Sequence, residues 1–378
     1  MLHIISKIKL IFNKIKKYFF FKKKFKFPKK SSILIYDCNG IDIFQELLNN
    51  KSYEVLNFRE EINLTVMLKC LIKLKFRKKD YLIEYIKIVN PKLIITYTDN
   101  DIFFYKLKNI FKEKIVTISI QNGIRALTGD ILGILNNSQE KIKLSSDWII
   151  TFNDKVGLEL KKFISTNTFS IGSIRNNLNP ISNSKNKIKG SILLISQYVS
   201  SSPVEDKKLV LHLFQFLMDY AKKNNKTLSV LTRGQRDEEI SFFKKHGKNQ
   251  FHFVKKNFQN SYHWIDKYEV TVSIDSTLGL EALSRGNKAA FFYVRSKFRN
   301  VEGRKFGWPD VYPDQGFAWT HLKDNQCFEN ILDKQFNTTH QEWQKILSDN
   351  EFNKIMFYDE GNKIIKKFFK NIYNELNI

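Results

Sequence analysis

Residues 270–293 read VTVSIDSTLGLEALSRGNKAAFFY. An apolar run from Val270 stops at Asp275, Ser276, Thr277 and Gly279, helix formers continue to Ser284, and a second apolar run spans 288–293. Strand, small polar turn, helix, strand is the repeating unit of a parallel sheet. Uninterrupted apolar strands between helices indicate a sheet buried on both faces.

The same grammar extends in both directions. Candidate strands before it are SILIYD (32–37), YEVLNF (53–58), KLIITYTD (92–99), KIVTISIQ (114–121), DWIITF (147–152) and TFSIGS (168–173). Helix candidates such as INLTVMLKCLIKLKF and FFYKLKNIFKE lie between them. After NNLNPISNSKNKIKG, a linker by composition, the order restarts with SILLISQY (191–198), TLSVLTRG (227–234), FHFVKK (251–256), EVTVSID (269–275) and KAAFFYV (288–294). Two consecutive Rossmann-like, doubly wound α/β units follow from this pattern, and 378 residues are enough for two cores. The expected divisions are a basic segment 1–30, a first unit 31–176, a second unit 177–330 and closing helices 331–378.

The formal charge of +25 is unevenly spread, because residues 1–30 carry eleven Lys and no Asp or Glu. In that segment Lys interrupts every apolar run, which argues against a secretion signal. At 100° per residue, Ile4, Ile8, Ile11, Ile15 and Phe19 share one face and Lys7, Lys9, Lys14, Lys16 and Lys17 the other, the pattern of a helix lying in an anionic membrane interface. A solvated tail, or a helix packed on the protein's own body, is the alternative. Three separated cysteines, Cys38, Cys70 and Cys327, suggest neither a disulfide framework nor a zinc site and fit a reducing cytoplasm.

Ligands of open α/β sheets bind beyond the carboxyl ends of strands. In the second unit these ends carry Ser196 and Gln197, then Arg233 and Gly234, then Asp275, Ser276, Thr277 and Gly279. Ser276 or Thr277 can cap the next helix and leave its N-terminal N–H groups for a phosphate, Gly279 allows close approach, and Glu281 one turn inside can reach a sugar hydroxyl. An ordinary N-cap without a ligand is the plainer reading of that turn. Arg233 suits a diphosphate clamp, or else an ion pair with Asp237 or Glu238. In the first unit Asp99 and Asp101 are carboxylates suited to a general base, or else caps of the helix beginning at Ile102; Asp99, with Gln121 and Asn122 at the next strand end, is the candidate catalytic group. FGWPDVYPDQGFAWT (306–320) places Trp308, Tyr312 and Trp319 on a loop suited to stacking on a sugar or to pinning the loop on the core. No Walker loop, dinucleotide fingerprint, H-E-x-x-H or G-x-S-x-G is present, which weighs against an ATPase, dehydrogenase, zinc protease or α/β-hydrolase.

With SIQNG in the first half, IGSIRNN at the crossover, IDSTLGLEALSRGNKAAFF and FGWPDVYPDQGFAW, the chain resembles GT-B glycosyltransferases of bacterial surface carbohydrate, the O-antigen, capsule and lipopolysaccharide assembly enzymes. The resemblance spans most of residues 31–330. It implies a nucleotide-sugar donor on the second unit, held by the residues named above, with a glycolipid or polysaccharide acceptor on the first. It also implies catalysis with no metal or other cofactor. The E-x7-E spacing of one retaining group is absent, since Ser273 stands eight residues before Glu281. The resulting expectation is a cytoplasmic enzyme, peripheral on the inner membrane face through residues 1–30. Polyol-phosphate transfer from a CDP-glycerol type donor is the alternative within the fold. A non-enzymatic nucleic-acid-binding protein is the alternative of another class, disfavoured because the densest basic cluster is the amphipathic leader and no nucleic-acid module is recognisable.

Overall fold

Apolar runs flanked by helices fold in the computed structural model into two six-stranded, all-parallel sheets. The structure describes residues 21–48, 51–126, 130–137, 143–182, 187–234, 237–248, 250–254, 261–293 and 305–378. The first unit holds β1 (Lys22–Lys24), β2 (Ile33–Tyr36), β3 (Glu54–Leu56), β4 (Glu61–Asn63), β5 (Leu93–Thr96), β6 (Val116–Ile120), β7 (Leu144–Thr151) and β8 (Ile164–Ser170). The second holds β9 (Ile188–Ile195), β10 (Thr227–Leu231), β11 (His252–Phe253), β12 (Tyr268–Ser273), β13 (Lys288–Phe292) and β14 (Trp319–Thr320). The orders are β3-β2-β5-β6-β7-β8 and β11-β10-β9-β12-β13-β14. Strand order reverses between β2 and β5 in one sheet and between β9 and β12 in the other, so two crevices form where ligands of this architecture bind.

Both faces of each sheet are covered, as unbroken apolar strands require. In the second sheet Val270 and Val272 pack with Leu213, Phe214, Phe328 and Ile331 on one side. Leu193, Ala289 and Phe291 pack with Leu280, Trp343 and Phe352 on the other. The loop carrying Trp308 bridges the units: Lys155 donates to Asp310 at 2.6 Å, and Trp308 packs against the core of the first unit. Its aromatics are mostly internal, with Phe306 stacked on the buried Trp319 at 4.5 Å and 7°. This loop ends in β14, a strand too short to show a period in sequence.

Two expectations about boundaries change. The helix expected over the leader lies in residues 1–20, outside the described residues. Beyond it Lys22–Lys24 form a strand parallel to β4, anchored by Lys24 on Glu61 at 2.5 Å and by Asn63 Nδ2 donating to the Lys26 carbonyl at 2.7 Å. The closing helices divide: Asn325–Asn337 and His340–Asp349 pack on the second unit, whereas Lys363–Leu376 returns to the first. There Ile365, Phe369, Ile372 and Tyr373 cover the sheet face built by Ile33, Ile35, Ile95 and Ile118. The outgoing and returning connections touch. The Asn177 side chain receives the Asp359 N–H at 3.0 Å and Asn153 donates to the Ile355 carbonyl at 2.7 Å. Gly172, at φ +69°, lies so close that a Cβ would sit 2.1 Å from the Phe357 carbonyl oxygen. Among the described residues no helix is long and apolar enough to cross a membrane.

The seam between the units contains a buried carboxyl. Glu281 accepts from Ser173 of the first unit and from Tyr262, with Arg175 and Arg285 nearby. Burial raises its pKa above the ordinary 4.5, against the lowering influence of those hydroxyls and guanidinium groups. A carboxyl that holds its proton more tightly folded than unfolded adds stability below its unfolded pKa. It loses that contribution as pH rises through the folded value.

Two outcomes follow for equilibrium denaturation. Phe369→Ala should cost about 3–5 kcal/mol, and a loss near zero would show that the C-terminal helix does not belong to the first unit. Glu281→Gln, neutral at every pH, should lack the wild type's decline in stability above about pH 4.5; a wild-type minus variant difference that is flat with pH would refute the assignment.

Candidate active site between the two units

At the β9/β12 switch point the second unit is organised by one side chain. Gln197 accepts the backbone N–H groups of Ile274 and Asp275, at 2.9 and 2.8 Å, and donates to the Asp275 carboxylate. The carboxyl ends of β9 and β12 are thereby tied, with Asp275 held at the mouth of the crevice. Ser276 then caps the helix Thr277–Ser284 by accepting from Leu278 N–H at 3.3 Å.

The first unit meets this turn directly. Thr277 Oγ1 accepts the Ile124 N–H at 3.1 Å, so the SIQNG loop and the IDSTLG turn, far apart in sequence, touch. On that loop Arg125 is buried against Asp99: Nε donates to Oδ2 at 2.8 Å and Nη2 donates to Oδ1. Asn122 accepts from Nη2 at 2.9 Å and donates to the Tyr97 carbonyl at 2.8 Å. Burial lowers the guanidinium pKa and the Asp99 carboxylate raises it, with a net rise, so Arg125 stays charged.

Between the units lies a cavity of about 220 Å³ lined by Arg125, Asp130, Gln197, Asp275, Tyr293, Lys305 and Trp308, with Ile124, Ala126, Leu280, Gly307 and Ile355. Both signs of charge face it. Asp130 is engaged as the cap of the helix Ile131–Asn136 and by the Ala126 N–H at 2.8 Å. Tyr293 is raised by burial and then by Asp275, which keeps its phenol protonated. Lys305 lies 3.7 Å from Asp314 and is partly exposed.

Several expected site residues do other work. Asp99 is almost wholly buried and gripped by Arg125, so it orients that cation instead of serving as a general base. Gln121 spans the loop, donating to the Gly123 carbonyl and accepting from Phe152 N–H, both at 2.8 Å, and Asn122 supports Arg125; neither lines the cavity. Gly279 serves packing rather than ligand approach, since a Cβ there would lie 2.6 Å from Ser273 Oγ and 2.8 Å from Phe291. Thr277 holds the opposite loop, and Glu281 is enclosed in the seam, where no donor sugar reaches it.

Ser196 is buried with its hydroxyl on Glu239, whose carboxylate also accepts the Arg233 N–H at 3.1 Å. Arg233 and Gly234 border a separate cavity of about 250 Å³ with Tyr198, Ser200 and Glu238. The nine donor-binding candidates thus divide: Gln197 and Asp275 line the interunit cavity, and Arg233 and Gly234 border the second. Ser196, Ser276, Thr277, Gly279 and Glu281 hold the scaffold. Of the residues the sequence reading assigned no role, Arg125, Asp130 and Lys305 face the interunit cavity. Only Asp130 carried a local signal, a Gly-Asp step before an apolar helical run.

A family profile described as "putative O-antigen biosynthesis protein" matches residues 118–373. A sequence search of curated proteins gave no match. Among solved structures the chain resembles the wall teichoic acid polymerase TagF, with TM-score 0.52, 12% identity, and 92% of this chain and 90% of that one covered. It also resembles MnaA of S. aureus solved with UDP, with TM-score 0.50, 12% identity, and 94% and 97% covered. Identity at that level establishes a shared fold and nothing about substrate. Two facing Rossmann-like sheets, a site in the cleft between them and a profile match over most of the sequence together place the chain in this O-antigen biosynthesis family, with the GT-B fold of surface-carbohydrate assembly proteins.

Proposed function

We propose that this protein is a glycosyltransferase that moves a sugar from a nucleotide-sugar donor to a lipid-borne surface-carbohydrate acceptor. The carrying observation is the interunit cavity, where Arg125 of one unit and Lys305 of the other converge beside the β9/β12 strand ends. Two cations at the amino end of a capped helix suit a nucleoside diphosphate or monophosphate. Arg125 is pre-aimed by Asp99, so its orientation costs little on binding. The donor would rest on the second unit and the acceptor would enter from the first.

Asp275 is the carboxylate assigned to take the acceptor proton. It lines the cavity and is oriented through Gln197, whereas both oxygens of Asp130 accept backbone N–H groups, from Ala126 and Leu132. Charge neutralisation by Arg125 and Lys305 supports transfer without a bound metal, which predicts full activity in EDTA. Attachment to the inner face of the cytoplasmic membrane through residues 1–30 would bring a lipid-borne acceptor to the cleft. A second reading keeps the fold and takes a CDP-polyol as donor. The TagF structures, including one soaked with CDPG for 30 minutes, motivate its inclusion.

Calorimetric titration with UDP-, GDP-, dTDP- and CMP-sugars and with CDP-glycerol separates the readings, and no binding across the panel would sink both. Lys305→Ala should weaken the bound donor by about 10–100-fold, the loss of one charged hydrogen bond. It is a cleaner probe than Arg125→Ala, which would strand Asp99 in the interior. Asp275→Asn should lower turnover by about 10²–10⁴-fold with donor affinity largely kept; equal losses in affinity and turnover would assign Asp275 to binding instead.

A further inference from the structure

The helix Leu64–Ile72 is inverted relative to an ordinary surface helix. Val66 and Cys70 face the core, yet Leu68, Leu71 and Ile72 stand in solvent, Ile72 at 76% exposure. The helix ends in a Schellman turn: Lys75 N–H reaches the Cys70 carbonyl and Leu74 N–H the Leu71 carbonyl, both at 2.9 Å. The left-handed position in that turn normally belongs to glycine. Here it is Leu74, at φ +54° and 78% exposed, followed by Phe76 at 71%. A strained backbone position that presents a large apolar side chain to water is unfavourable for the isolated molecule.

Cations surround this ridge. Lys69, Lys73, Lys75, Arg77, Lys78 and Lys79 occur with no acidic residue between positions 61 and 80. Three carboxylates border it and all are engaged: Glu84 is buried beneath Lys69 and Lys73, at 3.0 and 2.9 Å, Asp80 accepts the Arg77 N–H at 3.2 Å, and Glu61 pairs with Lys24. Asn63 joins a second apolar piece to the same face. Its Oδ1 caps the helix through Val66 N–H, while its Nδ2 holds the Lys26 carbonyl, flanked by the exposed Phe25 and Phe27 among Lys22, Lys23 and Lys24.

We propose that this face, Leu68 to Phe76 with Phe25 and Phe27, inserts into the interface of an anionic phospholipid bilayer. The apolar side chains would enter the headgroup boundary and the lysines would meet lipid phosphates. Charge argues against the other occupants. A second copy would set the same cations against each other, and residues 1–20, which carry Lys and no acid, would be repelled too. This face shares only Phe25, Phe27 and their lysines with segment 1–30, lies outside residues 1–20 where the leader helix is expected, and extends the lipid-borne acceptor reading. Donor titration in solution tests that reading without it.

The experiment is hydrogen–deuterium exchange of the full chain with phosphatidylglycerol-containing vesicles, with all-phosphatidylcholine vesicles, and without lipid at rising protein concentration. Exchange over residues 68–76 should slow severalfold with the anionic vesicles alone. Sedimentation with those vesicles should fall about tenfold for Ile72→Glu/Leu74→Glu/Phe76→Glu, with the thermal midpoint kept because all three side chains are exposed. Protection confined to residues 1–20 would overturn the proposal. So would protection of 68–76 that appears without lipid, whether constant, marking cover by the chain itself, or growing with concentration, marking self-association.

Discussion

The arrangement of the two units depends on one buried ion pair. Arg285, at the end of the helix Thr277–Ser284, has no exposed side-chain surface and every direction of its guanidinium is used. It binds Asp266 through Nε at 2.9 Å and through Nη2 at 2.5 Å, Asn176 and the Asn179 carbonyl at 3.1 and 2.8 Å, and the Pro180 carbonyl at 3.0 Å. Burying a charge is costly unless its partners are complete, and here completion requires the connection between the units to run past this spot. The segment that reads as a loose linker by composition is therefore fastened at its start, with Asn176 and Asn177 fully buried. Removing the arginine would leave the Asp266 carboxylate buried without its counter-charge, held by Ser182 N–H and Asn287 Nδ2, and would take a donor from Asn176 and from two carbonyls of the connection.

That fastening places the cleft. With the crossover fixed, the helix carrying Glu281 lies against Ser173, its amino end meets Ile124, and the strand ends of both sheets point into one space. The polar groups on the cavity wall are individually held: Arg125 by Asp99, Asp275 by Gln197, Asp130 by its own helix. A site of this kind resists reorganisation when charge develops in it, the usual source of electrostatic catalysis.

The fold was largely legible because buried parallel strands write themselves as apolar runs. SILLISQY and EVTVSID map onto β9 and β12 within a few residues, and both sheets emerged from such runs alone. Among strands of two or three residues, β3 and β11 lie inside the apolar candidates YEVLNF and FHFVKK, whereas β1, β4 and β14 have no room for a period and no such candidate around them. Of the site, the sequence shows which polar residues stand at strand ends, and Gln197 and Asp275 among them line the interunit cavity. It does not say whether Gln121 or Glu281 turns toward solvent or toward a partner inside the fold. Arg125 and Lys305 went without a role for the opposite reason: each lies on a loop and becomes important only through a neighbour distant in sequence.

The return of the helix Lys363–Leu376 to the first unit has a consequence for how the molecule is made. A face of the first sheet is completed by Phe369 and Tyr373, which follow the whole of the second unit in sequence. During synthesis, therefore, the unit translated first is the last to close, and Ile33, Ile35 and Ile95 wait uncovered while the second unit is produced and folds. A fragment ending at the crossover would keep that apolar face bare, and a nascent chain in the same state is a natural client for a chaperone on the ribosome.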